Sequence, residues 1–374
     1  MSEPSKTSMK WVPDYIEALS PYQPGKPIEE LERELGITGA IKLASNENPL
    51  GPSPLGLAAA QRALAESNRY PDGAGHRLRV ALATRFGVGT DEVGLGGGSN
   101  ELIDLLVRTF CRPGIDEVVT HRYAFFMYRV SCGAHGVKLI ESSVGDDLAC
   151  DVDTMADAVT EKTRLVLLPN PNNPTGSYVP RAAFERLLAK LPAHVVLVCD
   201  EAYFEYAETL ADYPVAEKYR GKTACKLVTL RTFSKAYGLA ALRVGYAIAD
   251  KDVIGYLNRV RMPFNVSTPA QEAALAALGD TAHVARSRQV NADGLVQLMN
   301  GLSRLDVRAF PSAGNFVLVD LRREAQPIYQ ALLRLGVIVR PLAPSGLLRH
   351  VRISVSTTEE NARALAALAE VLRG

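Results

Sequence analysis

Lys235 lies in RTFSKAYGLAALRVGY (residues 231–246), beside the hydroxyls of Thr232 and Ser234, with Arg243 eight positions on. Lysine is rarely drawn into apolar stretches, and a desolvated amine is a nucleophile. Asp200 and Tyr203 stand in VVLVCDEAYFEY, Asn173 in LVLLPNPNNPTG, and Gly98, Ser99 and Asn100 in VGLGGGSNELIDLLVRTF. Taken singly, each has a plainer reading. Asp200 could cap a helix, Tyr203 could pack in a core, and Asn173 sits in turn chemistry. The glycine run lacks both the G-x-G-x-x-G and the G-K-[ST] patterns, so alone it is a turn opening into a helix capped by Ser99.

Jointly they ask for more. An amine can condense with an aldehyde. A carboxylate can keep a pyridine nitrogen protonated, and an amide and a phenol can hydrogen-bond a ring oxygen. Backbone N–H groups at a helix start, with Thr232, Ser234 and Arg243, can hold a phosphate. A pyridoxal phosphate site requires this set.

The elements that must position these groups are short. TRLVLLP (163–169), HVVLVCD (194–200) and CKLVTLR (225–231) are near-continuously apolar, as strands buried on both faces of a parallel sheet are. RAAFERLLAKL (181–191) reads as a helix between two of them. The alternation predicts an α/β fold: a large domain with a mostly parallel sheet flanked by helices, with ligand groups at strand carboxyl ends. Residues 1–44 read as an arm plus a short helix from Ile28 to Leu35, joined to a small domain. Residues 45–265 read as the large cofactor-binding domain. Residues 266–374 read as a small α+β domain, with strands at 315–321 and 350–356, a long helical stretch from 267 and a closing helix. The boundary is expected near Pro263–Thr268.

The 374 residues carry a net charge of +1, with 47% apolar and 22% charged residues, so nothing favours nucleic acid or an anionic membrane as partner. The five cysteines are odd in number and form no C-x-x-C, which predicts a reducing, cytoplasmic setting. MSEPSKTSMKWVPDYI has no apolar h-region, no run is long enough to span a membrane, and the six scattered histidines predict no metal site.

The chain resembles the fold type I, aspartate aminotransferase-type pyridoxal phosphate enzymes, and among them the histidinol-phosphate aminotransferases. NPTG, D-x-A-Y and S-K…R carry the superfamily likeness; YQPGKP, NRYPDG and PFNVS carry the narrower one. The resemblance implies that Lys235 bears the cofactor, Asp200 faces the ring nitrogen, Asn173 and Tyr203 hold the 3-oxygen, and Phe125 stacks on the ring. Gly98, Ser99, Thr232, Ser234 and Arg243 would hold the phosphate, with Asn100 beside them. Tyr70 would reach the phosphate in the partner subunit of a homodimer. Arg352 would bind the substrate carboxylate, with Tyr22, Asn46 and Arg340 as further substrate contacts. Four places depart from the pattern: Gly97, Ala241, Ser356 and the segment RPLAPSGLLRHVR.

The implied reaction is transamination from L-histidinol phosphate to 2-oxoglutarate, giving imidazole acetol phosphate and L-glutamate. An aromatic amino-acid aminotransferase is the alternative on the same scaffold. A decarboxylase and a non-catalytic ligand sensor are further readings. A sensor of this kind usually carries a DNA-binding segment, which this sequence lacks.

Overall fold

The computed structural model describes residues 11–19 and 25–373. Thirteen strands are assigned among them: β1 (Ile41–Lys42), β2 (Val93–Gly96), β3 (Glu117–His121), β4 (Lys138–Ser142), β5 (Thr163–Pro169), β6 (Val196–Asp200), β7 (Lys226–Thr232), β8 (Gly245–Ile248), β9 (Arg308–Ala309), β10 (Phe316–Asp320), β11 (Val337–Ile338), β12 (Arg340–Leu342) and β13 (Leu347–Ser354).

The large sheet runs β4-β3-β5-β6-β7-β8-β2. Pairings from β4 to β7 are parallel, and β8 is antiparallel to both its neighbours. The three expected strands are β5, β6 and β7 at its centre. Their side chains alternate between two cores: Leu165 and Leu167 pack with Leu102, Leu106 and Val228 on one face. Val166 and Leu168 pack with Phe184, Leu187 and Leu197 on the other. Apolar cover on both faces is why these strands read as unbroken hydrophobic runs. The helix Arg181–Lys190 supplies part of that cover.

The second sheet is antiparallel, in the order β12-β13-β10-β9. Val317, Val319, Val351 and Ile353 pack against Leu298, Leu302, Ile328, Leu332 and Leu368 from three helices. β1 pairs in parallel with β11, and the Ser354 N–H donates to the Leu43 carbonyl at 2.9 Å. Residues 41–46 are thereby fastened to the second sheet. The short helix is found at Ile28–Leu35, closed by Gly36 in the left-handed conformation.

The expected long helical stretch is two helices, Thr268–Leu278 and Thr281–Leu302. Asp280 ends the continuity by accepting from the His283 N–H at 3.2 Å, the geometry of an N-cap. Ala270, Ala273, Ala274 and Ala277 of the first helix pack with Leu78, Leu82 and Phe233 of the large unit. A Cβ on Gly56, in the helix Pro54–Ala63, would lie 3.1 Å from the Ala273 carbonyl, so small residues let that helix and Thr268–Leu278 approach closely. We therefore propose that the division between the two units falls within Thr281–Leu302, after the position expected from sequence.

The central strands are also joined by a buried ion pair. Arg231 of β7 donates to Glu201 Oε2, just past β6, through Nε at 2.9 Å and a second guanidinium nitrogen at 2.7 Å. It also donates to Glu217 at 2.5 Å and is fully buried against the Phe204 ring. Arg231→Met would strand two carboxylates without a cation. A loss of about 3–5 kcal/mol is expected, read as a lower urea midpoint. A midpoint unchanged from the wild type would count against this role.

Candidate active site

Every group singled out in the large domain, except Tyr70, reaches the carboxyl edge of the parallel strands. Asn173 follows β5, Asp200 ends β6, Thr232 ends β7, and Gly98 and Ser99 follow β2. Because β8 is antiparallel and begins at Gly245, Arg243 just before it arrives at the same edge. A cavity there is lined by Ser99, Asn100, Phe125, Asn173, Asp200, Tyr203, Thr232, Ser234, Lys235 and Arg243. It adjoins a larger one bounded by Ser45, Asn46, Arg340 and Arg352, with Asn100, Phe125, Asn173 and Lys235 common to both.

Asp200 is buried, and burial raises its carboxyl to about 6. Its Oδ2 accepts from the Tyr128 hydroxyl at 3.1 Å. Oδ1 is buried with no partner among the described residues. A buried carboxylate oxygen without a donor is costly, and a protonated ring nitrogen in the cavity would satisfy it.

Lys235 Nζ donates to the backbone carbonyls of Ser45 at 3.2 Å and Asn46 at 3.4 Å. Burial, with added repulsion from Arg352 and Arg243, lowers its ammonium to about 8. Tyr203 is buried, and its hydroxyl oxygen accepts from the amides of Asn46 at 2.8 Å and Asn173 at 3.0 Å. Asn173 Oδ1 in turn accepts from Arg352 at 2.5 Å. Arg352 also donates to the Ala44 carbonyl at 2.5 Å.

The helix Ser99–Phe110 begins with Gly98 at its N-cap, where φ is 84° and ψ 173°. Ser99 is the first helical residue rather than the cap: no side chain closes this end. The φ of 84° at Gly98 favours glycine, and a Cβ there would come within 2.4 Å of the Arg243 guanidinium and push it aside. Arg243 donates to Ser234 Oγ at 3.3 Å, and Thr232 Oγ1 donates to Ser234 Oγ at 3.0 Å. Helix N–H groups, two hydroxyls and a guanidinium therefore converge as an anion cradle.

These features fit pyridoxal phosphate: an acceptor for its ring nitrogen, a phenol, an amine and a phosphate cradle line one cavity. Arg340 stands at the wall of the adjoining cavity. Tyr70 is not brought to this cleft in the same chain; its exposed ring stacks on Phe264 at 4.7 Å. Tyr22 lies outside the described residues. Sequence reading missed Tyr128, three positions from Phe125 and edge-to-face with it at 5.7 Å. That spacing along a helix start was its one local signal. Ser45, Asn315 and Ser354 were also missed.

The family model for class I and II aminotransferases matches residues 38–368. Histidinol-phosphate aminotransferase 2 of Pseudomonas aeruginosa is 49% identical over 362 residues, covering 96% of each chain. The crystal structure of histidinol-phosphate aminotransferase from Sinorhizobium meliloti in complex with pyridoxal-5'-phosphate superposes with a TM-score of 0.88. It is 31% identical, with 99% of both chains covered. A double mutant of Thermus thermophilus aspartate aminotransferase is similar too, at a TM-score of 0.81 and 27% identity, over 97% of this chain and 100% of that one.

Proposed function

Since this chain belongs to the class I and II aminotransferase family, we propose that it transfers the amino group of L-histidinol phosphate to 2-oxoglutarate, giving imidazole acetol phosphate and L-glutamate. It is a pyridoxal phosphate-dependent transaminase of amino-acid biosynthesis. When bound, the cofactor supplies an aldehyde to take up the amino group and a ring that draws electron density from the carbon losing its proton. The observation that carries the reading is the buried, unpartnered Asp200 Oδ1 on the same cavity as the Lys235 amine.

The residues divide the work by position. Lys235 presents the amine, and once free it takes the proton from the substrate α-carbon. Asp200 keeps the ring nitrogen protonated by offering it an anionic acceptor. Tyr203 and Asn173 serve the ring's 3-oxygen side, with Phe125 on the ring face. Ser99, Thr232, Ser234 and Arg243 anchor the phosphate. Arg352 pairs with the α-carboxylate of glutamate or 2-oxoglutarate. Histidinol phosphate carries its phosphate on the α-carbon arm where an amino acid has its carboxylate, so that phosphate faces Arg352 and Arg340, cross-strand neighbours on one cavity.

A homodimer is part of this reading, because Tyr70 is 83% exposed and lines neither cavity of its own chain's cleft. A cytoplasmic setting is supported by the five free cysteines. Among the described residues no helix is long and apolar enough to cross a membrane.

The decisive experiment compares kcat/KM for histidinol phosphate and phenylalanine, each with 2-oxoglutarate as acceptor. A preference for phenylalanine would replace this reading with the aromatic one. Arg352→Lys keeps the charge but loses the fork. It should raise KM for 2-oxoglutarate by roughly 10–150-fold, the equivalent of about 1.5–3 kcal/mol for charged hydrogen bonds. KM for glutamate should rise likewise, since it presents the same α-carboxylate, and histidinol phosphate, whose phosphate meets the same pair of arginines, should not be spared. An unchanged KM for 2-oxoglutarate would argue against the assignment of Arg352.

A further inference from the structure

We propose that Ser354 and Asn315, on and beside the strands of the second sheet, are positioning residues for Lys235 and Tyr203, and that they act through the turn at Asn46. The inference rests on reading Lys235 as the cofactor-bearing amine. It also revises Asn46, expected from the sequence as a substrate contact.

Asn46 is buried and has a φ of 56°, in the left-handed region that asparagine tolerates better than most residues. Ser354 Oγ clasps it twice. The hydroxyl accepts from the Asn46 backbone N–H at 2.8 Å and donates to Asn46 Oδ1 at 2.8 Å. The Asn315 amide donates to the Asn46 carbonyl at 3.0 Å. Both clasping residues are buried.

Two consequences follow from donor and acceptor counting. With Oδ1 engaged by Ser354, the Asn46 amide nitrogen is turned to Tyr203, where it donates at 2.8 Å. Asn173 supplies the second donor to the same phenol oxygen at 3.0 Å. Tyr203 therefore accepts twice, and its own proton is left for the cofactor's 3-oxygen. A phenol that accepts two hydrogen bonds is also a stronger donor. Second, the twisted turn points two successive carbonyls, of Ser45 and Asn46, at Lys235 Nζ. The second sheet thus fixes where the amine rests when it is not joined to the cofactor.

None of these three residues is part of the phosphate cradle or touches Asp200. Ser354→Ala removes one hydroxyl and nothing else, so cofactor occupancy should remain within about twofold of the wild type. Two readouts should move. One is kcat, expected to fall about tenfold or more. The other is the pH midpoint of the bound cofactor's visible absorption. This midpoint should rise by half a unit or more, because a loosened Tyr203 donates less well to the ring oxygen and leaves the lysine-bound nitrogen more basic. Asn315→Ala should shift both in the same sense.

A wild-type kcat with a wild-type midpoint in the Ser354→Ala protein would overturn the proposal. So would a loss of kcat that follows a loss of occupancy or thermal stability with the midpoint unmoved, the mark of a merely structural role. Borohydride labelling of the wild-type protein, run alongside, separates the two levels. Absence of label on Lys235 overturns the underlying assignment and this inference with it. Label present and midpoint unchanged overturns this inference alone.

Discussion

Lys235→Ala protein is expected to retain pyridoxal phosphate in its cavity and to leave no borohydride-stable label at position 235. Its kcat should fall by roughly 10²–10⁴-fold for the lost proton transfer alone. Retention follows from the phosphate cradle and Asp200, which the substitution does not touch. Loss of label follows because, among the described residues, Lys235 is the one lysine lining either cavity of the cleft. A pH signature accompanies the prediction. Only the neutral amine can attack an aldehyde or accept a proton from carbon. Burial and the neighbouring Arg352 and Arg243 lower the Lys235 ammonium to about 8. In apo wild-type protein, the rate of cofactor capture should therefore rise with pH and level off just above 8, well below the range of a free lysine. The folded value lies below the unfolded one, so this group weakens apo stability below pH 8 and ceases to do so as pH climbs toward 10.5. Apo Lys235→Ala should be no less stable than wild type at pH 7. Stopped-flow capture rates across pH 6–10 and apo melting temperatures check both parts. A capture rate still climbing at pH 10 would refute the lowered value.

How much of this was legible in the sequence depended on the range of the interaction. β5, β6 and β7 were legible because each is buried on both faces and carries a short run rich in Leu and Val before its functional end. Asp200, Asn173 and Lys235 could then be placed together by one rule about strand carboxyl ends. β4 was not legible: KLIES is partly exposed and polar, since it lies at the sheet edge. The break at Gly279–Asp280 was missed because alanines on both sides keep the helical pattern going. The partners of the site are the hardest case. Ser354 meets Asn46 across 308 positions, and Tyr128 meets Asp200 across 72. No local period encodes such pairings; they exist only once β1 pairs with β11 and the helix Met127–Ala134 has docked. The family resemblance supplied roles for Asn173 and Arg352, whereas the Ser354 clasp had no motif to announce it.

Asp200→Asn is expected to move activity and apo stability in opposite directions. The substitution keeps shape but exchanges an acceptor for a donor at the buried oxygen that now lacks a partner. With Tyr128 still donating to the remaining carbonyl oxygen, the new N–H₂ points where the ring nitrogen sits. A ring nitrogen facing a donor must accept, so it is held unprotonated and withdraws electrons poorly. A fall in kcat of about 10²–10³-fold is expected, the scale of removing one preorganised electrostatic group. Apo stability responds the other way. Burial raises the Asp200 carboxyl to about 6, above its unfolded value near 3.8. With the folded value higher, this group's contribution is fully present below pH 4 and is lost as pH rises through 6. The two-unit difference corresponds to at most about 3 kcal/mol above pH 7. Asparagine carries no charge to desolvate, so apo Asp200→Asn should melt near the wild-type temperature below pH 4 and above it at pH 8. With cofactor bound, the protonated ring nitrogen compensates the carboxylate, and the stability order at pH 8 should narrow or reverse. An apo variant that melts below wild type at pH 8 would mean that the carboxylate is not strained by burial, and the argument that it is kept in reserve for a cationic ring would fail.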